Sequence, residues 1–215
     1  WRVRTRNWSA LAGRILPGAF HQLRLEFHHR EIERCRKVVA ATDPDFAGAF
    51  ILLGGEEPER VAAGVVSWDY FQTLGIAPLV GRVFRADDDG HGKHDTQATL
   101  VLSHEYWQRA FRGDRKVVGR VVEMNDRPHT IVGVLPDVPM YPQPNDVYMP
   151  RSACPFRMNA TEQNRRGSGM ASALGRRRPG RTLEDAQSDL AAVGQQLQQA
   201  HPKLYPAERG YQLTA

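Results

Sequence analysis

Short runs in which apolar and polar positions alternate, or in which apolar residues cluster, predict most of the strands of this chain. Two of these runs stand on either side of Asn125-Asp126, residues that tolerate turn conformations, and together they predict a β-hairpin. The predicted strands are residues 46–53, 59–66, 99–102, 118–124, 129–135 and 171–175, with a last strand beginning near residue 211.

Three segments predict helices. Residues 68–74 form a short one that ends at Gly75, a residue suited to the left-handed position after a helix. Ser103 is a predicted N-cap for a second helix. Thr182 caps the third, in which every third or fourth residue from 183 to 197 is apolar, and His201-Pro202 ends it.

Residues 14–46 carry two conflicting patterns. Apolar positions alternate with charged ones over residues 23–27, which favours a strand, whereas Ile32, Cys35 and Val39 are spaced as on one face of a helix. Because helices and strands do not alternate strictly along the whole chain and a hairpin is present, the predicted fold class is α+β.

The charge of the chain suggests one alternative function. Lys and Arg number 29 against 24 Asp and Glu, which gives a net charge of +5 and a pI near 9.5. Residues 176–178 and Arg181, with residues 165–166 upstream, form a basic cluster of a kind that contacts phosphates in nucleic-acid-binding modules. Aromatic residues that would stack on bases are missing around it. An exposed turn is therefore the preferred interpretation, and no nucleic-acid partner is expected.

A loop rich in histidine and aspartate suggests a second alternative, a metal-dependent hydrolase. His91 and His94 stand beside residues 87–89, which are all Asp, and imidazole with carboxylate is a ligand set that suits zinc. The spacing matches neither a helical HExxH nor a calcium-binding EF-hand loop. A polar surface loop over residues 86–95 is the preferred interpretation, and the metal site stays an alternative.

No motif in the chain predicts catalysis. Ser103, His104 and Glu105 contain the residue types of a catalytic triad, but adjacent helical residues point about 100° apart and cannot hydrogen-bond in series. Neither GxSxG nor a Walker-type loop occurs. The chain is therefore predicted not to be an enzyme, with no catalytic, cofactor-binding or metal residue and no cofactor. Cys35 and Cys154 leave open a single disulfide or two thiols.

Several short phrases follow one another in a fixed order along the chain. They are GGEEPERV (54–61), VSWDYF (66–71), LGIAPLVGRVF (74–84), VLSHEYW (101–107) with FRGD (111–114), VGR (118–120) with NDRPHTIVGV (125–134), DVYMP (146–150), and PGRT (179–182) with AQ (186–187). In this order the phrases resemble the MacB-like periplasmic core domain of bacterial ABC-transporter permeases. Within that family they are most similar to the large permeases abundant in soil bacteria such as acidobacteria. Two departures are Asn-Asp in place of the usual Asn-Gly at the hairpin and the unmatched residues 14–46.

The resemblance implies an organisation in two lobes. A porter-like α+β lobe would comprise residues 1–62 and 160–215, and a mostly β lobe of residues 63–159 would be inserted into it, with the linker near residues 165–169 as a hinge. The first strand of the family's domain is expected before Trp1. Because the sequence begins with Trp and shows neither a secretory signal nor a run of about 20 apolar residues, it is interpreted as part of a longer protein.

The resemblance also implies a function and partners. The domain would face the periplasm or the cell exterior and would couple ATP-driven movement of the membrane part to substrate export or other extracytoplasmic events. Its partners would be its own transmembrane helices, outside this sequence, and a separate ATP-binding subunit or domain, with a homodimer as a further expectation.

Overall fold

A computed structural model describes eleven strands, three helices and three 3₁₀ turns of the chain. The described residues are 20–23, 38–42, 49–53, 58–92, 98–139, 144–154, 171–176, 180, 182–203 and 213–214. The strands are β1 Phe20–Leu23, β2 Val38–Thr42, β3 Ala49–Leu53, β4 Glu59–Val66, β5 Val80–Gly81, β6 Ala98–Leu102, β7 Val121–Met124, β8 Arg127–Val134, β9 Val147–Pro150, β10 Ala171–Arg176 and β11 Leu213–Thr214. The helices are α1 Tyr70–Leu74, α2 His104–Phe111 and α3 Leu183–Ala200. The 3₁₀ turns are Ala86–Gly92, called here the aspartate turn, Arg115–Val117, and Arg151–Ala153, called here the serine turn.

The strands form two sheets. One has four strands in the order β11-β1-β10-β2, with antiparallel pairing throughout. The other has seven strands in the order β5-β8-β6-β9-β4-β3-β7, and β7 also pairs with β8. That additional pairing closes β8, β6, β9, β4, β3 and β7 into a six-stranded barrel, while β5 extends β8 beside β7. The fold is α+β, as predicted.

Alternating residues of each barrel strand fill the interior. Along β4, Val61, Ala63 and Val65 belong to the inner cluster, and their strand partners on β3 and β9 belong to it too. The alternation changes phase in β8, because the β6–β8 register shifts between Leu100 and Val101. This irregularity keeps the inner face of both strands apolar beyond the shift. The inner cluster thus accounts for the period-2 patterns of the sequence.

Two segments close the ends of the barrel. Helix α2 lies at the end where β4 begins, with Tyr106, Trp107 and Phe111 buried against the inner cluster. Ser103 caps this helix, since its Oγ accepts a hydrogen bond from the Tyr106 N–H at 3.1 Å. The serine turn, which follows β9 directly, lies at the other end, where Ala153 and Cys154 join the same cluster.

The charged side chains around α2 tie this end together. Arg109 Nη2 donates to Glu59 Oε1 at 3.2 Å and to Asp146 Oδ1 at 3.0 Å. Its guanidinium also lies 5.1 Å from the centre of the Tyr106 ring, whose hydroxyl donates to Glu59. Burial is the first cause that raises the pKa of Tyr106 above its ordinary value, and the Glu59 carboxylate adds to it. The phenol therefore stays protonated and serves as a hydrogen-bond donor.

Helix α3 packs against the four-stranded sheet. Thr182 and Asp185 form a capping box, in which the Thr182 Oγ1 accepts from the Asp185 N–H at 3.1 Å and the Thr182 N–H donates to the Asp185 carboxylate at 2.8 Å. Leu190 and Leu197 are buried on its apolar face, and the helix contacts β11. The predicted cap and the predicted apolar face are both confirmed.

The structure confirms most predicted elements and corrects two. The predicted strands, the hairpin and the three helices are present with shifts of a few residues at their ends. Val39, placed on a helix face by spacing alone, lies in β2. The segment predicted as a surface loop over residues 86–95 contains the aspartate turn, with Asp88 and Asp89 buried. Residue 62, the predicted lobe boundary, falls within β4. The predicted linker near residues 165–169 lies outside the described residues.

The β7–β8 turn gives a stability prediction. Asn125 and Asp126 have φ angles of 49° and 60°, as a type I′ turn requires, and Asn125 exchanges two hydrogen bonds with the backbone of Ile51. Asp126 is exposed and its backbone is strained, so the Asp126→Gly variant is expected to be more stable by about 0.5–1 kcal/mol. Urea unfolding followed by tryptophan fluorescence measures this change. Unchanged or lower stability would contradict the strain argument.

Candidate functional site: the junction between the two sheets

Helix α1 lies where the two sheets meet. It contacts β2 and β10 of the four-stranded sheet, and its Tyr70 and Phe71 side chains are fully buried on the outer wall of the barrel. There the rings pack with Phe84 and Tyr148 in a second apolar cluster, separate from the barrel interior. Burial raises the pKa of Tyr148 to about 12, so this wall carries no charge on its phenol at physiological pH. Because α1 contacts both sheets, a movement of one sheet changes the contacts that α1 makes with the other.

The sequence around α1 explains its short length. Gly75 follows the helix with a φ of 73°, and its N–H donates a hydrogen bond to the Gln72 carbonyl. The helix therefore ends after five residues. Ser67 Oγ donates to Asp69 at 2.7 Å just before the helix, which fixes the entry. Gln72 then reaches out of the helix, and its Nε2 donates to the Phe84 carbonyl at 2.7 Å. That bond ties α1 to the segment that leads into the aspartate turn.

Arg82 and Asp88 form an ion pair in the segment that Gln72 ties to α1 through the Phe84 carbonyl. The two terminal guanidinium nitrogens of Arg82, Nη1 and Nη2, donate to the Asp88 carboxylate, and the Nη2–Oδ1 distance is 2.9 Å. The Arg85 N–H donates to the same carboxylate at 2.7 Å. The Asp88 side chain is 8% exposed. The hydrogen bond that Arg82 donates to the Asp88 carboxylate is the first cause that raises the pKa of Arg82. This bidentate pair fixes the aspartate turn against the end of β8, since Arg82 also donates its backbone N–H to the Val132 carbonyl.

The serine turn joins the aspartate turn from the other side. Ser152 Oγ donates to the Asp88 carbonyl at 2.9 Å, and the Ser152 N–H donates to Asp89 Oδ1 at 3.3 Å. Arg127 Nη1, from β8, donates to the carbonyls of Ser152 and Ala153. A continuous set of hydrogen bonds thus runs from α1 through the aspartate turn to the serine turn and the end of the barrel. We call this set the Arg82–Asp88 junction.

Two glycines allow the close approach that the junction needs. Gly81 has φ 72°, and a Cβ there would lie 2.3 Å from the Val132 carbonyl oxygen. At Gly133, a Cβ would lie 2.0 Å from the Arg82 carbonyl oxygen. The phrases GRVF and TIVGV, far apart in sequence, are therefore in backbone contact, and each needs glycine at its point of contact.

Several of the residues considered for chemistry in the sequence occupy structural positions. Asp88 and Asp89 are partners of Arg82 and Ser152, and Ser103 caps α2, as its place before a helix predicted. The described residues contain no group of three or more His, Cys, Asp or Glu arranged to hold a metal ion. Outside the description lie His94, the side chain of His91, Cys35 and the arginines at 165–166, 177–178 and 181. Cys154 is buried.

Comparison with known families agrees with the ordered phrases. The MacB-like periplasmic core domain matches residues 4–193 of this sequence. The chain belongs to this family. The core domain of the present chain thus contains the barrel, the Arg82–Asp88 junction and most of α3 within the matched range.

Solved structures share the fold of this core domain. The extracellular domain of the noncanonic ABC-type transporter YknZ from Gram-positive bacteria superposes with a TM-score of 0.58 at 18% identity, over 88% of this chain and 89% of that one. The periplasmic region of MacB from Actinobacillus actinomycetemcomitans gives 0.56 at 18% identity, over 92% and 75%. No curated protein matches the sequence. Among the described residues, no helix has both the length and the apolar character that a bilayer crossing requires.

Sequence reasoning missed the Arg82–Asp88 junction because its residues form no catalytic or metal-binding motif. Arg82 follows a glycine inside a phrase that was recognised, yet nothing in the sequence pairs it with Asp88 rather than with another acid. The run of three Asp residues was a signal, since two adjacent buried carboxylates need donors. Ser152 and Gln72 gave no signal of their own, because their partners are backbone groups of distant segments.

Proposed function

We propose that this core domain transmits movement between the membrane part of an ABC-transporter permease and the extracytoplasmic side, without catalysing a reaction. The observation that carries the proposal is the position of α1, which touches the four-stranded sheet and is buried on the barrel wall. The family match over residues 4–193 supports the transporter context. ATP would be bound and hydrolysed by a separate subunit or domain.

We place the two moving parts along the sheet division. The four-stranded sheet contains strands from both ends of the described chain, β1 and β11, so it is the part nearest to any membrane segments that flank the domain. The barrel, from β3 to the serine turn, is the inserted part. On this division β3 and the whole of β4 belong to the inserted lobe. The hinge lies in the two connections between the sheets and at α1.

Distance measurements in the full-length permease test the proposal. Spin labels at Glu123→Cys on β7 and Gln195→Cys on α3, both exposed sites, are introduced with Cys35→Ser and Cys154→Ala. The permease is assembled with its ATP-binding partner in lipid nanodiscs. The label distance is expected to differ between the nucleotide-free state and the state trapped with ATP and vanadate, because the two labels sit on different lobes.

A second label pair serves as the control. Gln108→Cys and Glu123→Cys both lie on the barrel lobe, so their distance is expected to stay constant in the two states. Identical distance distributions for the Glu123–Gln195 pair in both states would contradict the coupling function. If both pairs change, the barrel deforms and does not move as a unit.

A further inference from the structure

His129 is a buried titratable residue that the junction does not use. It lies on β8, opposite Ala98 of β6 and Val122 of β7, and it faces the barrel interior with them. Its relative exposure is 2%. The position is near the end of the barrel that the serine turn closes, since Arg127, two residues earlier, binds the carbonyls of that turn.

The hydrogen bonds of the ring determine its tautomer. Nδ1 lies 2.8 Å from the Arg127 carbonyl oxygen, which can only accept, so Nδ1 carries the proton of the neutral ring. Nε2 is buried and has no hydrogen-bond partner. A second proton would therefore put a positive charge inside the barrel, at a cost that burial makes large.

The charges around His129 do not offset such a proton. On the same strand, the positive charge of the Arg127 guanidinium disfavours a protonated ring and so lowers the pKa of His129. On β7, Glu123 pairs with Pro128 and is exposed on the outer face. In the serine turn, Arg151 Nη2 lies 3.9 Å from Asp89 Oδ2. A hydrogen bond to the Ala153 carbonyl favours the protonated ring, but its effect on the pKa of His129 is smaller than that of burial. On β6, the residue opposite is Ala98.

We propose that His129 makes the closure of the barrel by residues 151–154 acid-sensitive. On protonation, the ring becomes a buried positive group close to the half-buried Arg127 under the serine turn, and release of that turn gives the ring access to water. The proposal does not depend on the transport function, because it concerns the stability of one end of the barrel.

The sign of the effect follows from the charge state that the fold prefers. Burial lowers the pKa of His129 in the folded protein below its ordinary value of 6.5, so the released state binds more protons than the closed state. Closure is fully stable above pH 6.5 and weakens as the pH falls from there toward the lowered pKa. One proton taken up on release raises the released fraction by up to about tenfold per pH unit in that window.

Cys154 provides a native reporter of the release. It is buried next to the serine turn, so its reaction with 4,4′-dithiodipyridine reports opening of this end. The protein carries Cys35→Ser, and each rate is divided by the rate of the urea-unfolded protein at the same pH. This ratio is expected to rise several-fold between pH 7.5 and pH 5.5 in the His129 protein and to stay flat in the His129→Gln variant.

Two further measurements keep the test decisive. His104→Gln removes a histidine on α2 at the other end of the barrel and is expected to leave the pH response unchanged. If His129→Gln does not fold, ¹⁵N NMR of the imidazoles in the unsubstituted domain decides, because His129 is expected to remain neutral at pH 6. An ordinary titration near pH 6.5, or an equal rise in reactivity in the Gln variant, would overturn the proposal.

Discussion

The Gly133→Ala variant is expected to lose about 3 kcal/mol or more of its free energy of unfolding. The added Cβ would lie 2.0 Å from the Arg82 carbonyl oxygen and 3.0 Å from the Arg82 nitrogen. Both are backbone atoms, so no side chain can rotate away, and β5 must separate from β8. That separation breaks the backbone hydrogen bonds at Leu79 and Arg82 and disturbs the pairing of Arg82 with Asp88. Urea unfolding measured by circular dichroism gives the loss.

Gly119→Ala is the matched control for Gly133→Ala. Gly119 has φ 93°, and a Cβ there would meet no atom within 4 Å, so this variant strains the backbone without a collision. Its expected cost is about 1–2 kcal/mol. Gly133 does not have a positive φ, so the loss of stability expected from Gly133→Ala comes from the collision alone. A loss at Gly133 no larger than the loss at Gly119 would contradict the close approach of β5 and β8.

The Asp88→Ala variant is expected to be the second most damaging, with a loss of about 2–4 kcal/mol. Three hydrogen bonds disappear with the carboxylate: two from the Arg82 guanidinium and one from the Arg85 N–H. The guanidinium is about one third exposed, so water recovers part of the cost. The loss is expected to persist in 1 M NaCl, because a buried bidentate pair is screened little by salt.

Asp87→Ala controls for the change of charge in the same turn. Asp87 is exposed, so its replacement is expected to change stability by about 0.5 kcal/mol or less. Thermal unfolding of the two variants beside the unsubstituted domain, at low and high salt, gives the comparison. Equal effects of the two substitutions would mean that the Arg82–Asp88 pair does not hold the turn.

Local signals were sufficient for the elements whose contacts are local. The β4 prediction matched the strand residue for residue, because the run of apolar and small residues from Val61 to Val66 is visible in the sequence. The caps at Ser103 and Thr182 were predictable since each acts on a backbone group three residues away. The turn at Asn125-Asp126 was equally readable from residue types that tolerate positive φ.

Long-range pairing was beyond the sequence. The barrel closes through β7–β8 on one side and β3–β7 on the other, and no local pattern distinguishes this closure from an open sheet. The parallel pairings β4–β9 and β6–β8 join segments 84 and 31 residues apart, as between Ala63 and Val147 and between Ala98 and His129. The burial of Asp88 likewise depends on Arg82, whose backbone N–H is held by the Val132 carbonyl from a distant part of the chain. The family phrases indicated the fold because they include residues of this chain at such contacts, among them Gly81, Arg82 and Gly133.

The closed ring of strands also governs how the domain can aggregate. A sheet edge with unpaired backbone groups is a template for pairing with a strand of another molecule. In the barrel ring, all six strands have neighbours on both sides, so among the described strands the unpaired edges are those of β5, β2 and β11. β5 and β11 are two residues long, too short to template a strand. β2 is longer, but it lies close to β4 and α1, so the described strands offer little open edge for the addition of a strand from another molecule.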